Sequence, residues 1–174
     1  MNTRRRTQSA PRERPSARGL RVALVRSRYN AAVVDGLLGG AREALRQMGA
    51  AERDVELTDV PGAFELPLAA AGAARSGRFD AIVALGAVIK GETDHYEHIA
   101  REASHGLAAV SRETGVPVGF GVLTVAREEQ ALVRSAPGPD NKGAEAARAA
   151  VAMVHVLRGL PGRRPVARPR GKAR

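Results

Sequence analysis

The chain contains no cysteine. This absence excludes disulfide bonds, zinc sites built on thiolates and cysteine nucleophiles, and it is compatible with a reducing compartment. Tryptophan is absent as well, and aromatic residues make up only 3% of the chain. Because aromatic side chains are so scarce, Tyr29, which lies in a polar segment, is a candidate for contact with a ligand.

Long apolar runs are also missing. No stretch approaches the ~20 residues of a membrane span, so we expect no membrane contact. The first twenty residues lack the apolar segment of a secretory signal, and their arginines lack the apolar face that an organellar transit peptide would need. We therefore expect a cytoplasmic protein.

The net charge of +10 comes from the two ends of the chain. Residues 1–21 contain seven arginines and one acid, and residues 158–174 contain seven basic residues and no acid. Residues 22–157 then keep 14 of the 28 basic and 17 of the 18 acidic side chains, a net charge of about −3. The basic charge therefore belongs to the ends and not to the folded part.

Both ends are rich in proline and arginine and poor in large apolar residues, a composition that cannot offset the entropy of ordering. We accordingly divide the chain into a disordered basic tail at 1–18, one folded domain at 19–159 and a second disordered basic tail at 160–174. Such tails are suited to bind polyanions without sequence preference.

The folded part alternates between strand and helix patterns. The apolar run Ala81–Ile89 is typical of a strand buried on both faces of a parallel sheet. Further strands are predicted at 20–25, 55–60 and 117–125, and helices at 31–48, from the turn at 61–67 to about Ala74, at 94–114, at 127–135 and after 143. This order predicts an α/β three-layer sandwich with a four-stranded parallel sheet and helices on both faces.

Polar residues follow three of the predicted strands, at Tyr29–Asn30, Glu65 and Thr93–His95. The carboxyl ends of parallel strands meet at one edge of a sheet, where ligands of open α/β sheets bind. The segment Gly91–His95 also leads into a helix, whose first backbone N–H groups favour an anion such as phosphate.

Each candidate also has a simpler interpretation. His95 and His98 have the spacing of metal ligands, but other suitable ligands are missing nearby, so we expect no metal. A histidine at the start of a helix is often only solvated, and Tyr29 could simply be packed. The segment Asn141–Lys142–Gly143 could be a helix start with Asp140 or Asn141 as N-cap. Glu65 lies among apolar neighbours, where a carboxylate is costly unless it binds a donor.

Six segments of the chain together resemble the lumazine synthase family. They are Tyr29–Asn30, PGAFELP (61–67), GAVIKGETDHYEHIA (86–100), PVGFGVLTV (117–125), EEQALVR (128–134) and NKG (141–143). The motifs at 61–67 and 86–100 are each only moderate signals of this family. All six segments, however, occur in the order and with the gaps of the family over roughly residues 20–158.

The resemblance implies a flavodoxin-like fold and a transferase of riboflavin biosynthesis. These enzymes condense 5-amino-6-(D-ribitylamino)uracil with 3,4-dihydroxy-2-butanone 4-phosphate to 6,7-dimethyl-8-ribityllumazine, without metal or organic cofactor. The family forms pentamers, and some members assemble twelve pentamers into an icosahedral shell or pair them into decamers. The partners implied are therefore two small-molecule substrates and further copies of the chain.

The resemblance also assigns roles to positions. Tyr29 corresponds to an aromatic that stacks on the pyrimidine, where the family more often has Phe or Trp, and His95 corresponds to the proton-transfer residue. The other residues for the pyrimidine and ribityl groups are Asn30, Ala63, Glu65, Val88, Ile89, Phe120 and Lys142. The phosphate-binding residues are Gly91, Glu92, Thr93 and Arg134. The family draws Phe120, Arg134 and Lys142 from the neighbouring subunit.

Three other functions remain open. An archaeal-type riboflavin synthase shares the pentameric fold, but the loop GETDHYEHIA argues against it. A shell protein that has lost activity would not need Glu65, His95, Arg134 and Lys142. A nucleic-acid binder acting through its tails would lose affinity steeply with salt, and we treat such binding as a side property.

Overall fold

The computed structural model describes residues 15–161, so most of both predicted tails, and their predicted disorder, lies outside the described residues. The strands are β1 (Val22–Ser27), β2 (Val55–Val60), β3 (Ala81–Ile89) and β4 (Val118–Val125). The helices are α1 (Ala31–Gln47), α2 (Leu66–Arg75), α3 (His95–Thr114), α4 (Glu128–Ser135) and α5 (Lys142–Gly159), with short 3-10 helices at Glu52–Asp54 and Ala63–Glu65. The predicted order is confirmed, and the predicted bounds of the strands lie within two residues of those observed.

The four strands form one sheet in the order β2-β1-β3-β4, and every pair is parallel. The long apolar strand β3 lies inside the sheet, while β4 lies at an edge. The predicted fold class, a four-stranded parallel sheet in an α/β sandwich, is confirmed. Among the described helices, none is both long and apolar enough to cross a membrane.

Side chains of β3 alternate between two hydrophobic cores. Val83 and Leu85 face the core that α1, α4 and α5 complete, whereas Ile82 and Ala84 face the core that α2 and α3 complete. Because successive side chains of a strand point to opposite faces, one unbroken apolar run supplies both cores.

Small residues allow α5 to approach both β4 and α1 closely. A Cβ atom at Gly119 would overlap the carbonyl oxygen of Ala146, and one at Gly143 would overlap that of Leu37. The glycines of β4 therefore accommodate a closely packed helix.

Asn141 is the N-cap of α5. Its Oδ1 accepts a hydrogen bond from the Ala144 N–H (3.0 Å), and its Nδ2 donates to the carbonyls of Ser135 (2.7 Å) and Gly36 (3.0 Å). The capping interpretation of the segment 141–143 is thus confirmed, and it fixes the position of Lys142 at the start of the helix.

Part of the predicted N-terminal tail packs on the domain. Ala17 is fully buried, and its N–H donates to the carbonyl of Met48 (2.8 Å). The imidazole Nε2 of His155 lies 2.6 Å from the carbonyl oxygen of Ser16. The packed part of the chain therefore begins before residue 19.

Candidate active site

A cleft of about 690 Å³ lies at the carboxyl ends of β1, β2 and β3, and we call it the rim cleft. The parallel sheet brings the polar segments that follow these strands to one edge, as the sequence predicted. Nine of the predicted site residues line it: Tyr29, Asn30, Ala63, Glu65, Val88, Ile89, Gly91, Thr93 and His95. Glu92 lies between two of these residues in the chain but does not line the cleft.

The turn after β1 presents the ring of Tyr29 to solvent. The Tyr29 N–H donates to the carbonyl of Pro61 (3.2 Å), and Asn30 adopts the left-handed conformation (φ 57°), which asparagine tolerates better than most residues. The Asn30 Nδ2 donates to the carbonyl of Ala87 (2.9 Å), so this side chain ties the turn to β3. Tyr29 itself is 73% exposed, and its aromatic face is available to a ligand.

Glu65 ends the short 3-10 helix that follows β2. Its Oε2 accepts a hydrogen bond from the backbone N–H of Gly62 (2.8 Å), across three residues. This bond fixes the orientation of a half-buried carboxylate at the cleft wall. A carboxylate can accept several hydrogen bonds, so Glu65 keeps acceptor capacity for hydroxyl groups of a ligand.

The segment Gly91–Asp94 connects β3 to α3 and is exposed. The Lys90 N–H donates to the carbonyl of Val125 (2.9 Å), which fixes the start of this loop against β4. Asp94, the N-cap of α3, makes no side-chain capping hydrogen bond. The first N–H groups of a helix of 20 residues therefore face the loop, an arrangement that favours an anion.

The remaining predicted residues lie elsewhere. Phe120, Arg134 and Lys142 line a groove of about 740 Å³ along β4 and α5, which we call the edge groove. Phe120 is 48% exposed although it belongs to a strand. None of the residues that line the edge groove also lines the rim cleft. In one copy of the chain, the predicted site residues therefore form two separate groups.

The predicted cations of the edge groove, Arg134 and Lys142, have contacts on their own helices. The Arg134 Nη1 donates to the carbonyl of Gln130 (2.9 Å), one turn earlier in α4. Lys142 forms an ion pair with Glu145, three residues further along α5. Both contacts are exposed. Each leaves further N–H donors on its cation, so the side chains can still bind an anionic ligand.

Sequence reasoning missed several residues of the rim cleft. They are Gly62, Phe64, Ala87, Tyr96, Ile99 and Glu128. Tyr96 and Ile99 follow His95 at spacings of one and four, so their positions on the first turns of α3 were a usable signal. Glu128 begins the helix after β4, and only the sheet order places it beside the end of β3.

An ion cluster fixes the strand ends beneath the cleft. Arg26 of β1 binds Asp59 of β2 through two hydrogen bonds (2.8 and 2.9 Å) and Asp35 of α1 through one (2.7 Å). The hydrogen bonds from Arg26 hold the pKa of Asp59 below its usual value. The cluster joins three elements just before the turn that carries Tyr29.

No three histidine, aspartate, glutamate or cysteine side chains within residues 15–161 are grouped as a metal site would require. His98, which the sequence paired with His95, does not line the rim cleft. The polar groups that do line it are suited to proton transfer and hydrogen bonding.

Two comparisons with known proteins agree with this geometry. The family model described as 6,7-dimethyl-8-ribityllumazine synthase matches residues 19–158. A curated 6,7-dimethyl-8-ribityllumazine synthase of Halorhodospira halophila (strain DSM 244 / SL1) is 50% identical over 140 residues, which span 80% of this chain and 90% of the relative.

The chain belongs to the lumazine synthase family. The match includes every predicted site residue, those of the rim cleft as well as those of the edge groove. It leaves out both basic tails, 1–18 and 160–174, which are therefore not part of what the lumazine synthase family model describes. The α/β fold observed here is the fold that the resemblance implied.

Proposed function

We propose that the chain condenses 5-amino-6-(D-ribitylamino)uracil with 3,4-dihydroxy-2-butanone 4-phosphate to 6,7-dimethyl-8-ribityllumazine, releasing phosphate and water. As a member of the lumazine synthase family it is an enzyme of riboflavin biosynthesis, a transferase. The observation that carries the proposal is the convergence of nine predicted site residues in the rim cleft, from three separate segments of sequence.

In this proposal, the reaction proceeds by imine formation with loss of water, loss of phosphate, and ring closure with loss of a second water. The exposed ring of Tyr29 stacks on the pyrimidine, and Asn30, Ala63, Val88 and Ile89 form the walls around it. Glu65, oriented by the Gly62 N–H, accepts hydrogen bonds from the ribityl hydroxyls.

The phosphorylated substrate binds above the start of α3. Gly91, Glu92 and Thr93 form the turn that receives its phosphate, and the open N–H groups of the helix favour the negative charge. His95 is the first residue of that helix and lines the same cleft. This position supports a role for His95 in proton transfer as the imine forms and the phosphate leaves.

The charge distribution supports a site shared between two copies of the chain. No lysine or arginine is among the described residues that line the rim cleft, whereas the edge groove contains Arg112, Arg134 and Lys142. Among the described residues that line the rim cleft, a phosphate bound there would thus find no lysine or arginine side chain. We propose that the edge groove of a neighbouring copy supplies Arg134, together with Phe120 and Lys142.

A site shared between neighbouring copies in this way requires that the copies form a closed ring. Each copy offers one rim cleft and one edge groove, two different surfaces, so the contact is heterologous and closes only by cyclic symmetry. The lumazine synthase family implies a pentamer. Exposed apolar side chains at or near the groove, Phe120, Met153 and Val156, support burial there, because the edge strand β4 has no neighbour on its outer side.

A site of this kind can accelerate the reaction without a metal or an organic cofactor. Holding two substrates in a reactive geometry can contribute roughly 7–11 kcal/mol. One positioned proton-transfer group adds about 10²–10⁴-fold. We propose that the reaction occurs in the cytoplasm, with which a cysteine-free chain is compatible.

The direct test mixes purified protein with both substrates and follows the absorbance of the lumazine product and the release of phosphate. His95→Ala should lower the turnover number by about 10²–10⁴-fold, because the proton-transfer group is lost. His98→Ala, one turn along the same helix and outside the cleft, is the matched control and should retain parent activity. Sedimentation of the same samples measures the assembly, and absence of product from an assembled parent would refute the proposal.

A further inference from the structure

We infer that the carboxylate of Glu128 in the rim cleft receives the guanidinium of Arg134 from the neighbouring copy and holds it where the phosphate binds. Glu128 is thus a positioning residue for the proposed reaction, because it acts through Arg134. The inference rests on the shared site proposed above, and it adds a residue to which neither the sequence nor the resemblance assigned a role.

Glu128 is the first residue of α4, and the sheet fixes its place beside the proposed phosphate turn. Val125, the last residue of β4, pairs with Ile89 of β3, and its carbonyl accepts a hydrogen bond from the Lys90 N–H (2.9 Å). Glu128 follows Val125 by three residues, just as the turn Gly91–Thr93 follows Ile89 closely. Both segments therefore leave adjacent strands at the same edge, and Glu128 lines the rim cleft.

The carboxylate of Glu128 is exposed and forms no hydrogen bond or ion pair within residues 15–161. Acidic side chains in a first turn often serve the open N–H groups of the helix. Here the N–H groups of Ala126 and Arg127 donate instead to Gln130 Oε1 (3.0 and 3.1 Å). Glu65, the other carboxylate of the cleft, already accepts a backbone N–H and follows β2 at the opposite edge of the sheet. Glu128 is therefore the carboxylate beside the phosphate turn that can receive a cation.

Arg134 is the complementary group of the edge groove. Its guanidinium donates to the carbonyl of Gln130 and forms no ion pair among the residues that the structure describes. Lys142, in contrast, is already paired with Glu145. Arg112, the third cation of the groove, lies in the last turn of α3, before the start of β4. The eight residues of β4 separate it by about 25 Å from the carboxyl end of the strand, where a rim cleft would have to meet it.

One guanidinium can serve both the carboxylate and the phosphate. Arginine has five N–H donors, and one of them donates to Gln130 in Arg134, so the others can be divided between Glu128 and the phosphate. Two parallel hydrogen bonds to a carboxylate also fix the plane of the guanidinium. Without Arg134, the carboxylate of Glu128 would only repel the phosphate. The pair therefore makes phosphate binding depend on the neighbouring copy.

A double-mutant cycle of Glu128→Gln and Arg134→Ala tests the pair. With Arg134 present, Glu128→Gln should raise the KM for the phosphorylated substrate about threefold to tenfold and leave kcat within about twofold, because Arg134 is no longer oriented. In the Arg134→Ala background, the same change should lower this KM by about twofold or more, because it then removes only repulsion. Glu129→Gln, in the same helical turn and outside the rim cleft, is the matched control and should change neither constant. A change of KM in the same direction in both backgrounds would overturn the inference.

Sedimentation at a series of protein concentrations tests the pair without the reaction. Glu128→Gln and Arg134→Ala should each make the ring dissociate at protein concentrations at least about threefold higher than the parent, and the double variant should be no weaker than the weaker single variant. The charge exchange Glu128→Arg with Arg134→Glu should recover the assembly that either single exchange loses. Additive effects of the two substitutions on dissociation would overturn the pair. If an assembled parent forms no lumazine, the proposed reaction fails, and the coupling in sedimentation still decides whether the pair exists.

Discussion

The rim cleft and the edge groove differ in the chemistry they contain. The rim cleft is built from turns, and it collects Glu65 and His95, groups that accept hydrogen bonds or move protons. The edge groove is built from a strand and a helix, and its polar groups include the cations Arg134 and Lys142. Neither surface alone contains both a proton-transfer group and a side-chain cation for phosphate. The comparison supports the proposal that one copy of the chain carries two half-sites.

The physical reason lies in the order of the strands. β1 and β3 are inner strands, and together with β2 their carboxyl ends bring three turns to one edge. β4 is an edge strand, so one side of it remains unpaired and Phe120 remains exposed. An edge strand with an exposed aromatic side chain and two nearby cations is suited to receive another copy of the chain.

The largest expected effect is the recovery of activity when a variant impaired in the rim cleft is assembled together with a variant impaired in the edge groove. His95→Ala impairs every rim cleft and Arg134→Ala impairs every edge groove, so each variant alone should be poorly active. When the two variants are unfolded together and reassembled in equal amounts, about a quarter of the contacts should join two intact half-sites. Activity of the mixture should therefore clearly exceed the sum of the separate variants.

Formation of mixed rings is checked by mass spectrometry of differently tagged variants. The matched control mixes His95→Ala with Glu65→Ala, both in the rim cleft, and should show no rescue. Verified mixed rings that gain no activity would place His95 and Arg134 in the site of one subunit.

The next effect distinguishes binding of the phosphorylated substrate from binding of the pyrimidine. Arg134→Ala removes a charge-assisted contact with phosphate, at a cost of about 1.5–3 kcal/mol, or roughly 10- to 150-fold in the KM for the phosphorylated substrate. Affinity for the pyrimidine, measured by calorimetry, should stay within about twofold of the parent. Arg127→Ala, at the start of the same helix and outside both the rim cleft and the edge groove, is the matched control. Equal weakening of both substrates would indicate a structural role for Arg134.

A smaller effect concerns the cleft alone. Stacking of an aromatic side chain on a base is worth about 1–3 kcal/mol, so Tyr29→Ala should raise the KM for the pyrimidine by roughly 5- to 150-fold. Tyr29→Phe keeps the aromatic ring and should leave the KM for the pyrimidine nearly unchanged. A large loss of activity in the phenylalanine variant would show that the hydroxyl group has a role of its own.

The smallest effect concerns the ion cluster under the cleft. Hydrogen bonds from Arg26 lower the pKa of Asp59 in the folded state, so the pair stabilises the fold above the ordinary pKa of 3.8. This contribution is lost as the pH falls through the lowered folded pKa. Because both side chains are partly exposed, 23% and 28%, Asp59→Asn should cost only about 0.5–1 kcal/mol at pH 7.

Urea unfolding at a series of pH values measures this difference. The stabilities of the parent and of Asp59→Asn should converge as the pH falls below the lowered folded pKa of Asp59, where the carboxyl is protonated in both states. The exposed Glu52→Gln, which forms no ion pair within residues 15–161, is the control and should show no such convergence. A constant difference at all pH values would mean that the introduced amide disturbs packing and that the ion pair contributes little.

Much of the fold followed from local patterns, and the site followed in part. The run Ala81–Ile89 predicted the inner strand because continuous apolar sequence suits burial on both faces. Tyr29, Glu65 and His95 were placed at one edge because parallel strands end together. The sequence did not identify Phe64 or Glu128 as residues that line the rim cleft. Both join His95 in the lining only because the crossover connections of the folded chain bring their segments to the same edge of the sheet.

The sequence alone determined the order of strands and helices, the family and the types of side chain at the site, because periodicity and short motifs are local properties of the chain. Only the tertiary structure decided that the Asn30 amide binds Ala87, and that Arg134 lies in the edge groove while His95 lies in the rim cleft. These facts depend on which strand is at the edge and how closely α5 packs on it. Such contacts join residues far apart in the chain, and no local pattern encodes them.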